Sequence, residues 1–391
     1  MEKPYLSCSR YLYPAVFGFI LCCLMLLAGC KTNFHQSGTS SEKMSRDKYN
    51  LSKRETRNSH IALLLPTKGP HAKAAKIVRD GFLAAYYRAK QNQLSPDAEV
   101  KMIDTSSQSL EAAYQKALSE HANIIVGPLT KSEVQAISKL QLEIPVLALN
   151  TISENNTFPK NLYQFGLMPE DDVVAVAEHA LRQGHQRTLI LAPHSEWGLR
   201  LADTFKQVWV SHHATVVDIK LFKSPAELES KIRDLLQVQG TARRTDADMI
   251  FIAASPELAL QIKPLLNFYY AEALPVYATS SIYSGTPSPH KDQDLNGIHF
   301  CDMPWVLAQS SEMQEAHSTL QELWPNSVNA SPRFFALGMD AYQLAIQLGN
   351  PERFSARSTP GFTGELQINN TQRIQRGLVC ARFEQGIPVP D

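Results

Sequence analysis

The 391-residue chain balances 38 Lys and Arg against 38 Asp and Glu, with 44% hydrophobic residues. A neutral chain has no concentrated positive face, which argues against nucleic-acid binding. The roughly 360 residues left after an amino-terminal leader suffice for one two-lobed domain or two smaller ones.

The leader comes first. Lys3 and Arg10 flank the start of a charge-free apolar run, Tyr11 to Gly29, which closes in Leu27-Ala28-Gly29-Cys30. This is the order of a secretory signal, with small residues before the cut. A transmembrane anchor of about nineteen residues would also span a bilayer, but it has no use for the terminal tetrapeptide. That tetrapeptide resembles the bacterial lipobox. The resemblance implies that residues 1–29 are removed and that the Cys30 thiolate attacks the lipid donor. Several acyl chains then anchor the protein stably where one would not. Lys31 in place of Asp after the lipidated cysteine implies, by likeness to bacterial sorting rules, the periplasmic face of the outer membrane.

Residues 30–59 read as the lipidated cysteine and a disordered tether. Ser, Thr, Asn, Lys and Arg dominate it, seven basic residues stand against Glu42, Asp47 and Glu55, and no apolar period appears. From His60 the texture changes. Ile61-Ala62-Leu63-Leu64-Leu65 is a run expected of a strand buried on both faces, and Ile77, Val78, Phe82, Ala85 and Tyr86 repeat at helical spacing over 71–90. Strands are predicted at Val100–Asp104, Ile124–Val126, Val146–Leu149, Leu189–Leu191, Val216–Ile219, Met249–Ile252 and Val276–Tyr277. Helices are predicted near 109–121, 131–141, 170–183, 197–210, 225–238 and 256–267. Such alternation implies parallel sheets with helices on both faces, an α/β fold of two doubly wound lobes. Beyond a polar loop, Ser284 to Gly297, come a strand at Ile298–Cys301, helices near 309–323 and 332–348, and strands at Gly364–Ile368 and Gly377–Phe383.

No catalytic constellation survives inspection. Phosphate-binding, dinucleotide, zinc-protease and nucleophile-elbow patterns are missing. Ser195 beside His194 is read as the cap of the helix near Trp197. The twelve histidines look scattered, His212-His213 reads as an exposed helix end, and Asp292-Gln293-Asp294 reads as a turn. No metal and no cofactor are expected, and the chain is read as a non-enzyme. Parallel sheets favour ligands at the carboxyl ends of their strands. Thr67, Lys68, Thr130, Thr151, Ser255, Thr279 and Ser280 are the candidate cleft residues; equally, they are residues that end strands and cap helices. Cys8, Cys22 and Cys23 leave with the signal. Cys301 and Cys380 remain, as a disulfide in an oxidising compartment or as two buried thiols.

Specific segments carry a likeness. Ile-Ala-Leu-Leu-Leu-Pro at 61–66, the run at 77–87, Ile-Val-Gly-Pro-Leu at 125–129 and Ala-Glu-His-Ala at 177–180 contribute. So do Phe-Tyr-Tyr-Ala at 268–271, Val-Tyr-Ala-Thr-Ser at 276–280, and the stretch from Ile282 through Asp294 to Phe300-Cys-Asp-Met-Pro-Trp305. From His60 to about Pro388 the chain closely resembles the carboxy-terminal domain of the LpoA (YraM) family, outer-membrane lipoproteins that activate class A penicillin-binding proteins. The resemblance implies a type I periplasmic-binding-protein fold over 60–391. Lobe one is expected at about 60–163 and 276–368, lobe two at about 164–275 and 369–391. It also implies a regulator that docks on a peptidoglycan synthase. The alternative is a periplasmic solute receptor closing on a small ligand such as an amino acid. The chain departs from the family pattern before residue 60. A large helical, tetratricopeptide-like domain usually stands between the lipidated cysteine and this domain, where here there is only the tether. Stretched, the tether reaches about 100 Å; as a coil it averages about 30 Å.

A docking patch is expected where Phe268, Tyr269, Tyr270, Tyr277 and Tyr283 crowd together before the polar loop. Tyr and Trp dominate the energetic centres of interfaces. Tyr269 and Tyr277 are read as interior, and Phe268 as more inclined to the interior than to the surface. Tyr283, abutting the turn-forming Ser284-Gly285-Thr286-Pro287, is expected at the surface, with Pro287 and Asp292 at the patch edge.

Overall fold

The computed structural model describes residues 59–94, 97–152, 158–308, 310–349 and 358–391. The leader, Cys30 and the tether up to Asn58 lie outside the described residues. Among the described residues, no helix is long and apolar enough to cross a membrane.

The first sheet is built from β1 (His60–Leu65), β2 (Glu99–Asp104), β3 (Ile124–Val126), β4 (Val146–Ala148) and β5 (Leu162–Gln164). All pair in parallel, in the order β2-β1-β3-β4-β5. The apolar run in β1 is explained by its two covered faces. Ile61, Leu63 and Leu65 pack into one core with Val78 and Phe82 of helix α1 (Ala72–Gln91). Ala62 and Leu64 pack into a second core, against α2 (Leu110–Ser119) and α3 (Lys131–Ile137), through Tyr114 and Val134.

A four-residue passage leads from β5 into α4 (Pro169–Arg182) and the second lobe. There β6 (Arg187–Pro193), α5 (Glu196–Ser211), β7 (Thr215–Phe222), α6 (Leu228–Leu236), β8 (Met249–Ile252), α7 (Pro256–Phe268), β9 (Val276–Thr279) and β10 (Ile298–Asp302) repeat the winding. Ser195 caps α5 by accepting from the Gly198 N–H at 3.2 Å, as the sequence implies. Between β9 and β10, the expected polar loop carries one helical turn, α8 (Pro289–Asp292), and a 3₁₀ turn, Gln293–Leu295.

The second sheet runs in the order β10-β9-β8-β6-β7, which corrects the expected lobe boundary. β9 and β10, assigned by the sequence reading to lobe one with residues 276–368, belong to the second sheet. Val276 lies beside Ile250 of β8, and β10 lies parallel to β9. Val276 and Ala278 face one helical layer of lobe two, Tyr277 the other. That alternation suits any sheet covered on both sides, so composition could not assign it.

The chain then runs through α9 (Pro304–Leu307), α10 (Ser311–Leu323), α11 (Pro325–Ala330) and α12 (Pro332–Leu348) back to lobe one. Helices α1 and α12 meet at their backbones. A Cβ on Gly81 would lie 2.0 Å from the Phe335 carbonyl oxygen, and one on Gly338 2.0 Å from that of Val78. A small antiparallel sheet follows, β11 (Thr359–Pro360), β12 (Glu365–Ile368) and β13 (Ile374–Gly377). Ile374 belongs to the first lobe's core, so the expected switch to lobe two at 369 comes late. Only Leu378 separates β13 from β14 (Val379–Glu384), which pairs antiparallel with β10 and with β15 (Ile387–Pro390). Cys301 and Cys380 stand opposite each other in that register and are joined by a disulfide.

Candidate functional site: the crossovers and strand ends

The predicted cleft residues do sit at the carboxyl ends of strands, and most spend their hydrogen bonds locally. The Thr67 N–H donates to Asp104 Oδ1 at 2.9 Å. Asp104 also accepts from the Ser106 N–H and hydroxyl, and these Ser106 bonds, with that of Thr67, hold its carboxyl well below the usual carboxylate range. Thr130 forms a capping box with Glu133 at the start of α3. Ser255 caps α7 through the Leu258 N–H, and Thr151 is buried beside Asn150, whose side chain accepts from its N–H. Lys68 is exposed. Thr279 is fully buried, and its hydroxyl has no hydrogen-bond partner among the described residues. The Ser280 hydroxyl donates to Asp172.

Asp172 opens onto a charge network that no sequence pattern announced. The first turn of α4 carries Asp171 and Asp172, directly after the β5 passage. Arg373 Nη2 donates to Asp171 Oδ1 at 2.5 Å, and Arg376 of β13 lies 3.4 Å from Asp172 Oδ1. Two of the segments linking the lobes are thus paired by charge. The third joins through Arg333, in the first turn of α12, which donates to Asp302 at the end of β10 and to the carbonyls of Ser280 and Tyr283. Burial works against the Arg333 charge, but the Asp302 carboxylate beside it prevails and raises its pKa. Asp172 is pushed up to about 6 by burial, against the pull of Arg376. Asp340 of α12 is likewise pushed up to about 6 by burial, although it accepts from the Phe362 and Thr363 N–H groups and the Thr363 hydroxyl. The acidic start of α4 was visible in the sequence as a match to the helix dipole. Its arginine partners, about two hundred residues away, were not.

The expected docking patch is rearranged. Tyr283 is 3% exposed and Phe268 is 72% exposed, reversing both expectations. The turn after Tyr283 does reach the surface, with Pro287 exposed, but the tyrosine ring points the other way. It packs between Phe300 and Phe383, at 5.8 Å from each ring centre, so it cannot be the exposed centre of an interface. Tyr269 and Tyr277 are interior as expected, while Tyr270 joins Phe268 outside. Asp292 is partly buried, its Oδ2 has no hydrogen-bond partner among the described residues, and burial raises its pKa. The histidines are not all scattered either: His179, His185 and His299 surround the Tyr277 ring.

Both sheets place their first and third strands side by side, the arrangement that opens a crevice at the carboxyl ends. Three separate segments join the lobes. A family model described as "LppC putative lipoprotein" matches residues 46–386. The chain belongs to the LppC lipoprotein family. Among curated relatives of this LppC chain, penicillin-binding protein activator LpoA of Vibrio cholerae is 29% identical over 353 residues, covering 84% of this chain and 57% of the relative. The protein of the same name from Aliivibrio fischeri is 31% identical over 349 residues, covering 83% and 56%. The LppC chain therefore spans little more than half the length of the curated relatives it matches.

Solved structures agree on the fold. The LpoA (YraM) C-domain from Haemophilus influenzae, described as a regulator of PBP1A, superposes with a TM-score of 0.70 at 24% identity, covering 85% of this chain and 100% of that one. An ABC transporter solute-binding protein from R. palustris, in complex with 4-hydroxybenzoate, gives 0.57 at 16% identity, covering 85% and 95%. The fold is thus α/β and periplasmic-binding-protein-like.

Proposed function

We propose that this LppC-family lipoprotein binds a class A penicillin-binding protein and raises its peptidoglycan synthesis, without catalysing a reaction itself. The observation that carries the reading is full overlap with one domain: the chain covers 100% of the LpoA C-domain described as a regulator of PBP1A. Its curated relatives are named for the same activation. Lipidation at Cys30 would hold it on the periplasmic face of the outer membrane, leaving residues 60–391 to meet a synthase. The candidate cleft hydroxyls favour this reading over the solute receptor, since Thr130, Ser255 and Ser280 are engaged in caps and an internal carboxylate bond. We place the partner contact at Pro287 and Asp292, with Tyr283 as the support beneath them.

The test adds the full chain to a purified class A synthase and follows glycan polymerisation and cross-linking. A saturable rise in synthase rate, with no turnover by the chain alone, is expected. An unchanged rate with no measurable binding would remove the activator reading. Turnover of glycan strands by the chain alone, abolished by a point substitution, would make it an enzyme. Cys30→Ala should accumulate uncut and leave the outer-membrane fraction.

A further inference from the structure

The second sheet gathers three side chains at the end opposite Thr279 and Ser280. His179 stands in the last turn of α4, His299 is the second residue of β10, and Asp391 follows β15. Asp391 Oδ2 lies 2.8 Å from His179 Nε2 and 2.5 Å from His299 Nδ1. All three donor atoms fall within 4.8 Å of one another. Their side chains retain 9%, 15% and 14% exposure, so the group is sheltered but reachable.

The surroundings hold the donors in place. The Tyr277 ring stacks on His299 at 4.7 Å and 19°, and it also contacts His179. The Asp391 N–H donates to the Cys380 carbonyl at 3.1 Å. Cys380 is in turn bonded to Cys301, two residues along β10 from His299. The carboxylate is therefore positioned by a strand that is covalently tied to the strand bearing one of its histidines.

We propose that His179, His299 and Asp391 bind one divalent first-row transition cation of the zinc class, which staples the chain beyond β15 onto α4 and β10. Two imidazole nitrogens and one carboxylate oxygen suit such ions rather than Mg²⁺ or Ca²⁺, which favour oxygen donors. Three protein donors with residual exposure leave a fourth position for water. Bonds of about 2.0–2.2 Å in a tetrahedral set place the donors roughly 3.3–3.6 Å apart, so the carboxylate oxygen must draw back from His299 Nδ1 by roughly 1 Å as the ion enters. The competing arrangement is a metal-free clasp, in which Oδ2 accepts from both imidazole N–H groups.

The test uses the full chain in detergent, stripped with a chelator and then titrated with Co²⁺ or Zn²⁺ alone. One equivalent of Co²⁺ should give the visible bands of tetrahedral nitrogen and oxygen coordination, without an intense thiolate charge-transfer band, and Zn²⁺ should displace it. His179→Gln, His299→Gln and Asp391→Asn should each weaken Zn²⁺ binding by more than the ~10–100-fold that loss of an outer-shell partner costs. His185→Gln and the double variant His212→Gln/His213→Gln should bind as the parent does. Should a ligand variant not fold, the parent still decides: bound Zn²⁺ should protect His179 and His299, not His212 and His213, from carbethoxylation mapped by peptide mass. No saturable binding by the parent establishes the metal-free clasp and ends the proposal. So does thiolate coordination, loss of binding in the His212/His213 variant, or equal modification of all four histidines.

Discussion

The two lobes wind their first five strands in the same order, yet they treat their fifth strands differently. In lobe one, β5 meets the returning chain at a single bridge, Gln164 to Arg373. In lobe two, β10 is paired over four residues by β14 and joined to it through Cys301 and Cys380. Winding follows from local pattern: apolar runs, caps and helical stripes recur in both halves. Edge treatment depends on where a distant segment arrives, and here one pass of chain serves both edges in turn. Lobe two is consequently held by a long-range covalent tie, while the outer helical face of lobe one relies on backbone-close packing of α1 against α12.

The sharpest way to probe that contrast is Tyr283, whose ring fills lobe two near the added strands. Tyr283→Ala should destabilise by about 3–5 kcal/mol, the range for emptying a buried aromatic site, as read by chemical denaturation of the full chain. Near-native stability together with weakened synthase binding would restore Tyr283 to the surface and void its place in the core.

Asp172 tests the charge that pairs the linking segments. An unfolded aspartate titrates near 3.9, and Asp172 is pushed up to about 6 in the fold. The folded state therefore holds the extra proton between those values. The stabilisation is complete below about pH 4 and is lost as pH rises through about 6. Asp172→Asn, which lacks the titration, should show no such slope. From about pH 4 to pH 7 the parent should lose up to about 3 kcal/mol relative to the variant, followed by unfolding across a pH series. A constant difference would mean that Arg376 outweighs burial.

The smallest effect is expected at the helix contact in lobe one. Gly338→Ala forces a Cβ against the Val78 carbonyl, and overpacking of this kind costs about 1–3 kcal/mol. Lys68→Ala, exposed and on the same lobe, is the control and should leave the unfolding midpoint unchanged. Equal midpoints for the two variants would mean that α1 and α12 can part without cost.

Much of the fold was legible because its signals are local. The five apolar residues of β1, the cap at Ser195 and the helical stripes needed no distant information. Lobe membership of β9 was not legible, since Val276 and Ala278 against Tyr277 would alternate the same way in either sheet. β15 escaped because Pro388 and Pro390 argue against a strand; an edge position tolerates them. At the candidate site the failures share one cause. A turn next to Tyr283 says where the backbone goes, not which way the ring points. The partners of Asp171, Asp172, His179 and His299 are set by tertiary contacts between residues 92 to 212 positions apart.

Leu378 carries a mechanical consequence. It is the one residue between a strand on lobe one's side and a strand of lobe two, and its side chain packs against both cores of the second lobe. A hinge of one residue has two free dihedrals and no slack. Any opening of the lobes must be absorbed there or by bending the strands on either side. A partner that pulls on one lobe would then load the other at once, as through a stiff coupling rather than a flexible lead.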